Sequence, residues 1–155
     1  FTLTDSTGKA FHSEALNGKV WIANFFFTTC SGVCPILSKN MASLNRTFEQ
    51  VRDIQLVSMT VNPEQDSPEV LTRYADQFKG DKKNWHFLTG SREVITEVIV
   101  KSFKVGDMKE PVFHSTSFPL VDSHGFIRGY YDGTKQEEVN RLFQDAAFLV
   151  KEVKK

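Results

Sequence analysis

The pattern of apolar positions predicts strands that alternate with helices. Residues 20–27 form a continuous apolar run rich in β-forming side chains, which is typical of a strand buried on both faces of a sheet. Residues 54–61 are predicted to form a second central strand. Apolar residues at helical spacing follow each of these segments, with helix starts predicted at Pro35 and near Pro68, and Thr134 is predicted to cap a last helix. Alternating strands and helices favour a largely parallel sheet covered on both faces.

Shorter elements complete this order. Turn residues and short apolar runs predict two strands within residues 1–11, a strand at 85–88, a helix at 93–101, a hairpin of strands 118–122 and 126–131, and the end of the second helix at Gly80. Helical spacing places Phe143 on the apolar face of the last helix. The fold class predicted is α/β and thioredoxin-like, with a central mixed sheet flanked by helices and an N-terminal β-hairpin. We expect one such domain over residues 1–155, a length that suits a single domain.

Charge and hydropathy exclude some classes of function. Lysine plus arginine and aspartate plus glutamate number 19 each, so no basic field favours nucleic acid or an anionic membrane as partner. No apolar run reaches the ~20 residues that span a bilayer, and no signal peptide is recognised. Because the chain begins at Phe1, we expect a processed or trimmed form that has lost any membrane anchor.

The chain contains two cysteines, Cys30 and Cys34, which are too few for a disulfide framework. Their predicted place at a helix N-terminus favours the thiolate, the form that binds soft metals and attacks disulfides. Residues four apart on a helix are separated by roughly 6 Å along its axis, which lies within the usual range of Cα–Cα distances across a disulfide. The pair is therefore predicted to be a redox pair or a metal pair, and a purely structural pair is the alternative.

The sequence around the cysteines does not match the common thiol enzymes of this fold. Dithiol oxidoreductases normally use Cys-x-x-Cys, whereas three residues separate this pair. A peroxidatic cysteine has threonine three residues before it, and here Phe27 precedes Cys30 and Ser31 precedes Cys34 at that distance. These departures favour a metal site over the common redox motifs.

A copper site with two thiolates needs a third ligand, for which imidazole is suited. His114 lies in the loop before the predicted hairpin. In a thioredoxin-like fold this loop packs across from the cysteine loop, the segment around Cys30 that joins the first central strand to the first long helix. This topology alone leaves open whether His114 is a ligand. His12, His86 and His124 are expected to be surface or hydrogen-bonded residues.

Several segments together resemble a known family. Residues 26–35 are similar to a Cys-Pro-x-x-x-Cys-Pro region, residues 61–68 to Asp-Pro-Glu-Arg-Asp-Thr-Pro, residues 87–90 to Leu-Thr-Gly, and His114-Ser115 with residues 120–125 to Asp-His-Ser and a closing hairpin. The chain therefore resembles the Sco/SenC proteins, copper-binding thioredoxin-fold proteins that assist assembly of the binuclear copper centre of cytochrome c oxidase.

This resemblance implies that Cys30, Cys34 and His114 bind copper as Cu(I) or Cu(II). It implies a metallochaperone that passes copper by ligand exchange to the copper-binding subunit of cytochrome c oxidase, or to another copper or thiol protein. The expected location is periplasmic or otherwise extracytoplasmic, with a membrane anchor in the full-length protein. The alternatives are a thiol-disulfide oxidoreductase, in which Cys30 and Cys34 are a redox-active pair able to form a disulfide, and a redox or copper sensor.

The chain departs from the family pattern near the predicted site. Ser31 replaces a proline, Asn62 stands where aspartate is usual, and Phe113 precedes the histidine where an acid is common. The residues between the cysteines also contain no carboxylate. Because fewer anions surround the site, we expect weaker attraction for Cu(II), with Cu(I) less affected.

Overall fold

The structure is a computed structural model that describes residues 1–28, 33–48, 51, 53–78, 84–103 and 116–153. Within these ranges the strands are β1 (Thr2–Asp5), β2 (Ala10–His12), β3 (Val20–Phe26), β4 (Ile54–Thr60), β5 (Trp85–Thr89), β6 (Ser117–Val121) and β7 (Ile127–Asp132). The helices are α1 (Val33–Thr47), α2 (Pro68–Gln77), α3 (Arg92–Glu97) and α4 (Gln136–Val153). A 3-10 turn spans Ser13–Leu16, and a π-helical turn at Val98–Ser102 continues α3.

The described strands form one sheet in the order β2-β1-β5-β4-β3-β6-β7. The three central strands β3, β4 and β5 are parallel, whereas β1, β2, β6 and β7 add antiparallel edges. Every residue of β3 and β4 is buried, which explains why both strands are mostly apolar in the sequence. The predicted thioredoxin-like α/β architecture with an N-terminal β-hairpin is confirmed.

Helices cover both faces of this sheet. Side chains of α1, α2 and α4 pack on one face, in a cluster that includes Ile22, Phe26, Leu37, Leu71 and Leu142. Side chains of α3 and the π-helical turn pack on the other face, in a cluster that includes Ala23, Phe25, Val57, Ile95 and Ile99. Successive residues of β3 thus enter opposite clusters, as the pleat of a strand requires.

Some predicted helix boundaries are wrong. Helix α1 begins at Val33 rather than at Pro35, because a proline fits any position of a first turn, where its missing N–H has no helical acceptor. Helix α4 begins at Gln136, and the Thr134 hydroxyl donates to Asp132 at 2.6 Å. The helix predicted at 93–101 is divided between α3 and the π-helical turn.

Two further comparisons concern α2 and α4. Helix α2 ends at Gln77, and Gly80, its predicted end, lies outside the described residues. Phe143, expected on the inner face of α4, is instead partly exposed, and its ring stacks on Phe48 with centroids 5.1 Å apart. Among the helices of the described ranges, none is long and apolar enough to cross a membrane.

The predicted hairpin of β6 and β7 is confirmed, and Asp122 organises its turn. The carboxylate accepts from the backbone N–H of His124 at 2.9 Å and of Phe126 at 3.0 Å, and from Arg128 at 3.2 Å. Burial favours the neutral acid, but these hydrogen bonds and the Arg128 charge outweigh burial and hold the pKa of Asp122 below its ordinary value of 3.8. Asp122 therefore stabilises the turn as a carboxylate.

Replacement of Asp122 by asparagine should reduce the acid sensitivity of folding. A carboxyl whose pKa is lower in the folded state stabilises the protein above its unfolded-state pKa, and this contribution is lost as the pH falls through the folded-state pKa. Urea unfolding between about pH 6 and about pH 2.5, a window set by the ordinary aspartate pKa, should show a shallower fall in unfolding free energy for Asp122→Asn than for wild type. Asp76→Asn, at an exposed position of α2, is the control, and equal slopes in wild type and Asp122→Asn would contradict the assignment.

Candidate functional site

Cys34 lies in the first turn of α1 and is 3% exposed. It belongs to the apolar cluster that also contains Phe26, Leu37 and Phe118. The predicted placement of this cysteine at a helix N-terminus is confirmed. Cys30 and His114 lie outside the described residues, so their convergence with Cys34 stays a prediction.

The chain that leads into the cysteine loop is held by a buried carboxylate. Thr28, two residues beyond β3, donates its backbone N–H to Asp66 Oδ2 at 3.1 Å and its hydroxyl to Asp66 Oδ1. The Thr60 hydroxyl, at the end of β4, donates to Asp66 Oδ2 at 2.6 Å. Asp66 is completely buried, and three donors offset the cost of removing its carboxylate from water.

Sheet register explains why these residues meet. Phe26 and Thr60 are partners in the parallel pairing of β3 with β4, and Val61 N–H donates to the Phe26 carbonyl at 2.8 Å. The carboxyl ends of parallel strands lie at one edge of a sheet, where open α/β folds bind their ligands. The cysteine loop and the segment of residues 61–67 therefore start side by side.

An exposed ion pair connects the segment of residues 61–67 to α3. Arg92 donates to both carboxylate oxygens of Glu64 at 2.6 Å, and it approaches Asn62 Oδ1 at 3.4 Å. Hydrogen bonding to Arg92 lowers the pKa of Glu64 and in turn raises that of Arg92. Because both side chains are exposed, the pair contributes little to stability.

The two residues that flank the segment containing His114, Phe103 and Thr116, both contact β7 or the residue directly after it. At one end, the Tyr130 hydroxyl donates to the Phe103 carbonyl at 2.7 Å. At the other end, Gly133 N–H donates to the Thr116 carbonyl at 2.7 Å. Side chains or backbone groups in or directly after one strand thus hold both ends of this segment.

The other histidines have local contacts. His12 Nδ1 lies 3.1 Å from the Thr2 hydroxyl, and His86 Nε2 lies 2.8 Å from Gln55 Oε1. Burial, with a smaller contribution from the Lys19 charge, lowers the pKa of His86. His124 lies in the hairpin turn. Across the described part of the chain, no three His, Cys, Asp or Glu residues lie close enough to hold a metal ion.

Sequence reasoning did not identify Asp66, Thr28 and Thr60 as functional residues. Asp66 directly precedes Ser67, which accepts from Val70 N–H at 3.4 Å as the N-cap of α2. In the sequence it is therefore recognised only as part of a helix start and of the segment that resembles the family. The useful signal is the pair of threonines, one at the end of β4 and one two residues beyond the end of β3. When two parallel strands end in hydroxyls, a nearby acid has donors that allow its burial.

Known proteins resemble this chain over almost its full length. The SCO1/SenC family model matches residues 1–147. A SCO1/SenC family lipoprotein from Bacillus anthracis str. Ames is 37% identical with a TM-score of 0.85, over 96% of this chain and 92% of that one. BsSco, a member of the Sco family of cytochrome c oxidase assembly proteins with an identified disulfide switch, is 32% identical with a TM-score of 0.83, over 97% and 91%.

A copper-bound structure is also similar. Arabidopsis thaliana ScoI with copper bound is 28% identical with a TM-score of 0.76, over 99% of this chain and 96% of that one. The family match covers the cysteine loop, the Asp66 segment and the closing hairpin. On this evidence the chain belongs to the SCO1/SenC family.

Proposed function

We propose that this protein binds one copper ion through Cys30, Cys34 and His114 and delivers it to another protein. The observation that carries the proposal is the buried Cys34 thiol in the first turn of α1, in a chain of the SCO1/SenC family. The likeness to copper-bound ScoI supports copper as the metal.

The donor set suits copper. Thiolates are soft ligands that favour Cu(I), and an imidazole provides a third ligand that also suits Cu(II). Positive charge at the N-terminus of α1 favours the thiolate form of Cys34. The apolar residues around this thiol, such as Phe118, limit access of water and so stabilise a thiolate–metal site against hydrolysis and exchange with solvent.

The receiver that we propose is the copper-binding subunit of cytochrome c oxidase, for its binuclear copper centre. Support comes from BsSco, which belongs to a family of oxidase assembly proteins. Transfer would proceed by ligand exchange, in which receiver ligands replace Cys30, Cys34 and His114 one at a time. Ile36, half exposed and two residues beyond Cys34, offers an apolar contact next to the ligands; a different copper or thiol protein is the alternative receiver.

We place the protein outside the cytoplasm, in the periplasm or an equivalent compartment, as one thioredoxin-like domain held at a membrane by an N-terminal segment. The similar Bacillus anthracis protein is a lipoprotein, which supports an anchored, extracytoplasmic location. A copper-binding pair of thiols that can also form a disulfide is suited to such a compartment.

A second candidate function is thiol-disulfide exchange. The disulfide switch identified in BsSco favours a Cys30–Cys34 pair that cycles between dithiol and disulfide. In this function one thiolate attacks a disulfide of an oxidase subunit, and the other cysteine resolves the mixed disulfide. A sensor would use the same two states without turnover.

Copper titration of the reduced protein tests the three-ligand site. Wild type should bind one copper ion per chain in competition with a chelator, whether the copper is supplied as Cu(I) or as Cu(II). Loss of a metal ligand should cost more than the 10–100-fold typical of residues that only support ligands, so Cys30→Ser and Cys34→Ser should each lose over ~100-fold in Cu(I) affinity. His114→Ala should weaken Cu(II) more than Cu(I), because the thiolates alone still suit Cu(I).

His124→Ala, in the hairpin turn, is the matched control and should bind copper like wild type. Circular dichroism should show that each variant is folded. The proposal would be rejected if wild type bound no copper, or if His114→Ala bound Cu(I) and Cu(II) at full strength.

The reductase function is tested with a peptide disulfide as substrate and dithiothreitol as the regenerating reductant. If copper delivery is the function, reduction by wild type should be no faster than by Cys34→Ser. Exchange chemistry does not need an imidazole, so reduction that is fast in wild type, unchanged in His114→Ala and absent in Cys34→Ser would establish the oxidoreductase instead.

A further inference from the structure

We propose that Asp66 is a positioning residue that fixes the start of the cysteine loop and thereby sets how readily Cys30 and Cys34 act as a pair. This inference rests on the proposed function only in taking the two thiols to act together. It gives a role to a buried acid that is not one of the proposed copper ligands and that lies on a different segment from the cysteines.

Most side-chain hydrogen bonds of Asp66 come from one residue, Thr28, which follows the end of β3. Two of its three side-chain partners are the backbone N–H and the hydroxyl of Thr28, and each reaches a different carboxylate oxygen. Holding a residue by both groups restrains its position and its orientation. The third partner, the Thr60 hydroxyl, shares Oδ2 with Thr28 N–H.

These bonds act where the sheet no longer restrains the chain. The register of β3 with β4 ends at Phe26 and Thr60, so Thr28 lies beyond the strand pairing. Cys30 follows Thr28 by two residues, which span at most roughly 7 Å. Asp66 therefore holds the last described residue before the cysteine loop, close in sequence to the first thiol.

The anchor itself stands on regular structure. Asp66 N–H donates to the Asn62 carbonyl at 3.1 Å, and Asn62 N–H donates to the Thr60 hydroxyl at 3.0 Å. Ser67, the next residue, is the N-cap of α2. Asp66 is thus fixed between β4 and α2 and can transmit their rigidity to Thr28.

A carboxylate suits this position because each of its three side-chain partners donates to it. Asparagine has one acceptor oxygen and a donating amide group. In Asp66→Asn, that amide group can donate to the Thr28 hydroxyl while the oxygen accepts from the two groups that share Oδ2. Asp66→Ala removes every acceptor and is therefore the more decisive change. Because the site is buried, a lost partner cannot be replaced freely by water.

The test is the reduction potential of the cysteine pair, measured with purified full chain equilibrated against glutathione. In this reaction the two thiols are oxidised to one disulfide, and one oxidised glutathione accepts two electrons and two protons to give two glutathiones. A loosened loop lowers the effective concentration of one thiol at the other. A tenfold fall corresponds to a potential about 30 mV less negative, and this shift is expected for Thr28→Val.

Three further variants separate positioning from stability. Thr28→Ser keeps the hydroxyl and should retain the wild-type potential, whereas Asp66→Ala, which removes both Thr28 bonds, should shift it at least as far as Thr28→Val. Thr60→Val is the matched control. It removes the hydroxyl that donates to Asp66 and accepts from Asn62 N–H, but it leaves both Thr28 bonds and the bond from Asp66 N–H to the Asn62 carbonyl, so the equilibrium constant should change by less than twofold. Urea unfolding establishes that each variant is folded, and Thr28→Val decides the question if Asp66→Ala does not fold.

An unchanged potential in folded Thr28→Val, or an equal shift in Thr60→Val and Thr28→Val, would overturn the proposal. Because the potential is measured without metal, failure of wild type to bind copper rejects the proposed function and leaves this result to be judged by itself. Cu(I) competition on the same variants provides a second readout, with a 10–100-fold weakening expected for Thr28→Val and little change for Thr60→Val.

Discussion

The parallel pairing of β3 with β4 is the constraint on which the rest of the structure depends. Both strands are buried at every position, and a shift in their register would place core residues against the wrong helices. The same register aligns Phe26 with Thr60. It therefore determines that the cysteine loop and the Asp66 segment emerge together at one edge of the sheet.

Two buried carboxylates, each close to the end of a strand, are stabilised by hydrogen bonds in the same way. Asp122 in the hairpin turn and Asp66 after β4 each accept hydrogen bonds from three groups within a few residues of a strand end. Each uses its acceptors to order chain that the sheet ladder no longer holds. The difference lies in what is ordered, since Asp122 closes a local turn and Asp66 joins segments 38 residues apart.

Much of the fold was predictable because it follows from local periodicity. The mostly apolar sequences of β3 and β4 and the inward spacing of Leu37 and Met41 need no knowledge of the tertiary structure. The exact start of α1 was not predictable, since Pro35 is compatible with several positions in a first turn. The partial exposure of Phe143 was missed because helical spacing cannot tell a core contact from stacking at the edge on Phe48.

The candidate site likewise has features that the sequence predicts and features that it does not. Placement of Cys34 at a helix start follows from a strand, a loop and a helix in sequence order, whereas the ligand role of His114 was implied by the family resemblance alone. Burial of Asp66 could not be predicted, because an acid before an N-cap serine is ordinarily solvated. Its donors come from Thr28 and Thr60, and only the folded sheet brings these together.

Asp66 also restricts the routes by which this sequence can diverge. If Thr28 or Thr60 changed first to an apolar residue, a completely buried carboxylate would remain with too few donors, a costly intermediate. If Asp66 changed first to a small neutral residue, one N–H and two hydroxyls would lose an acceptor, which costs less than a buried charge without donors. Drift away from this arrangement should therefore begin at the acid, and homologues that retain the acid should retain both hydroxyls.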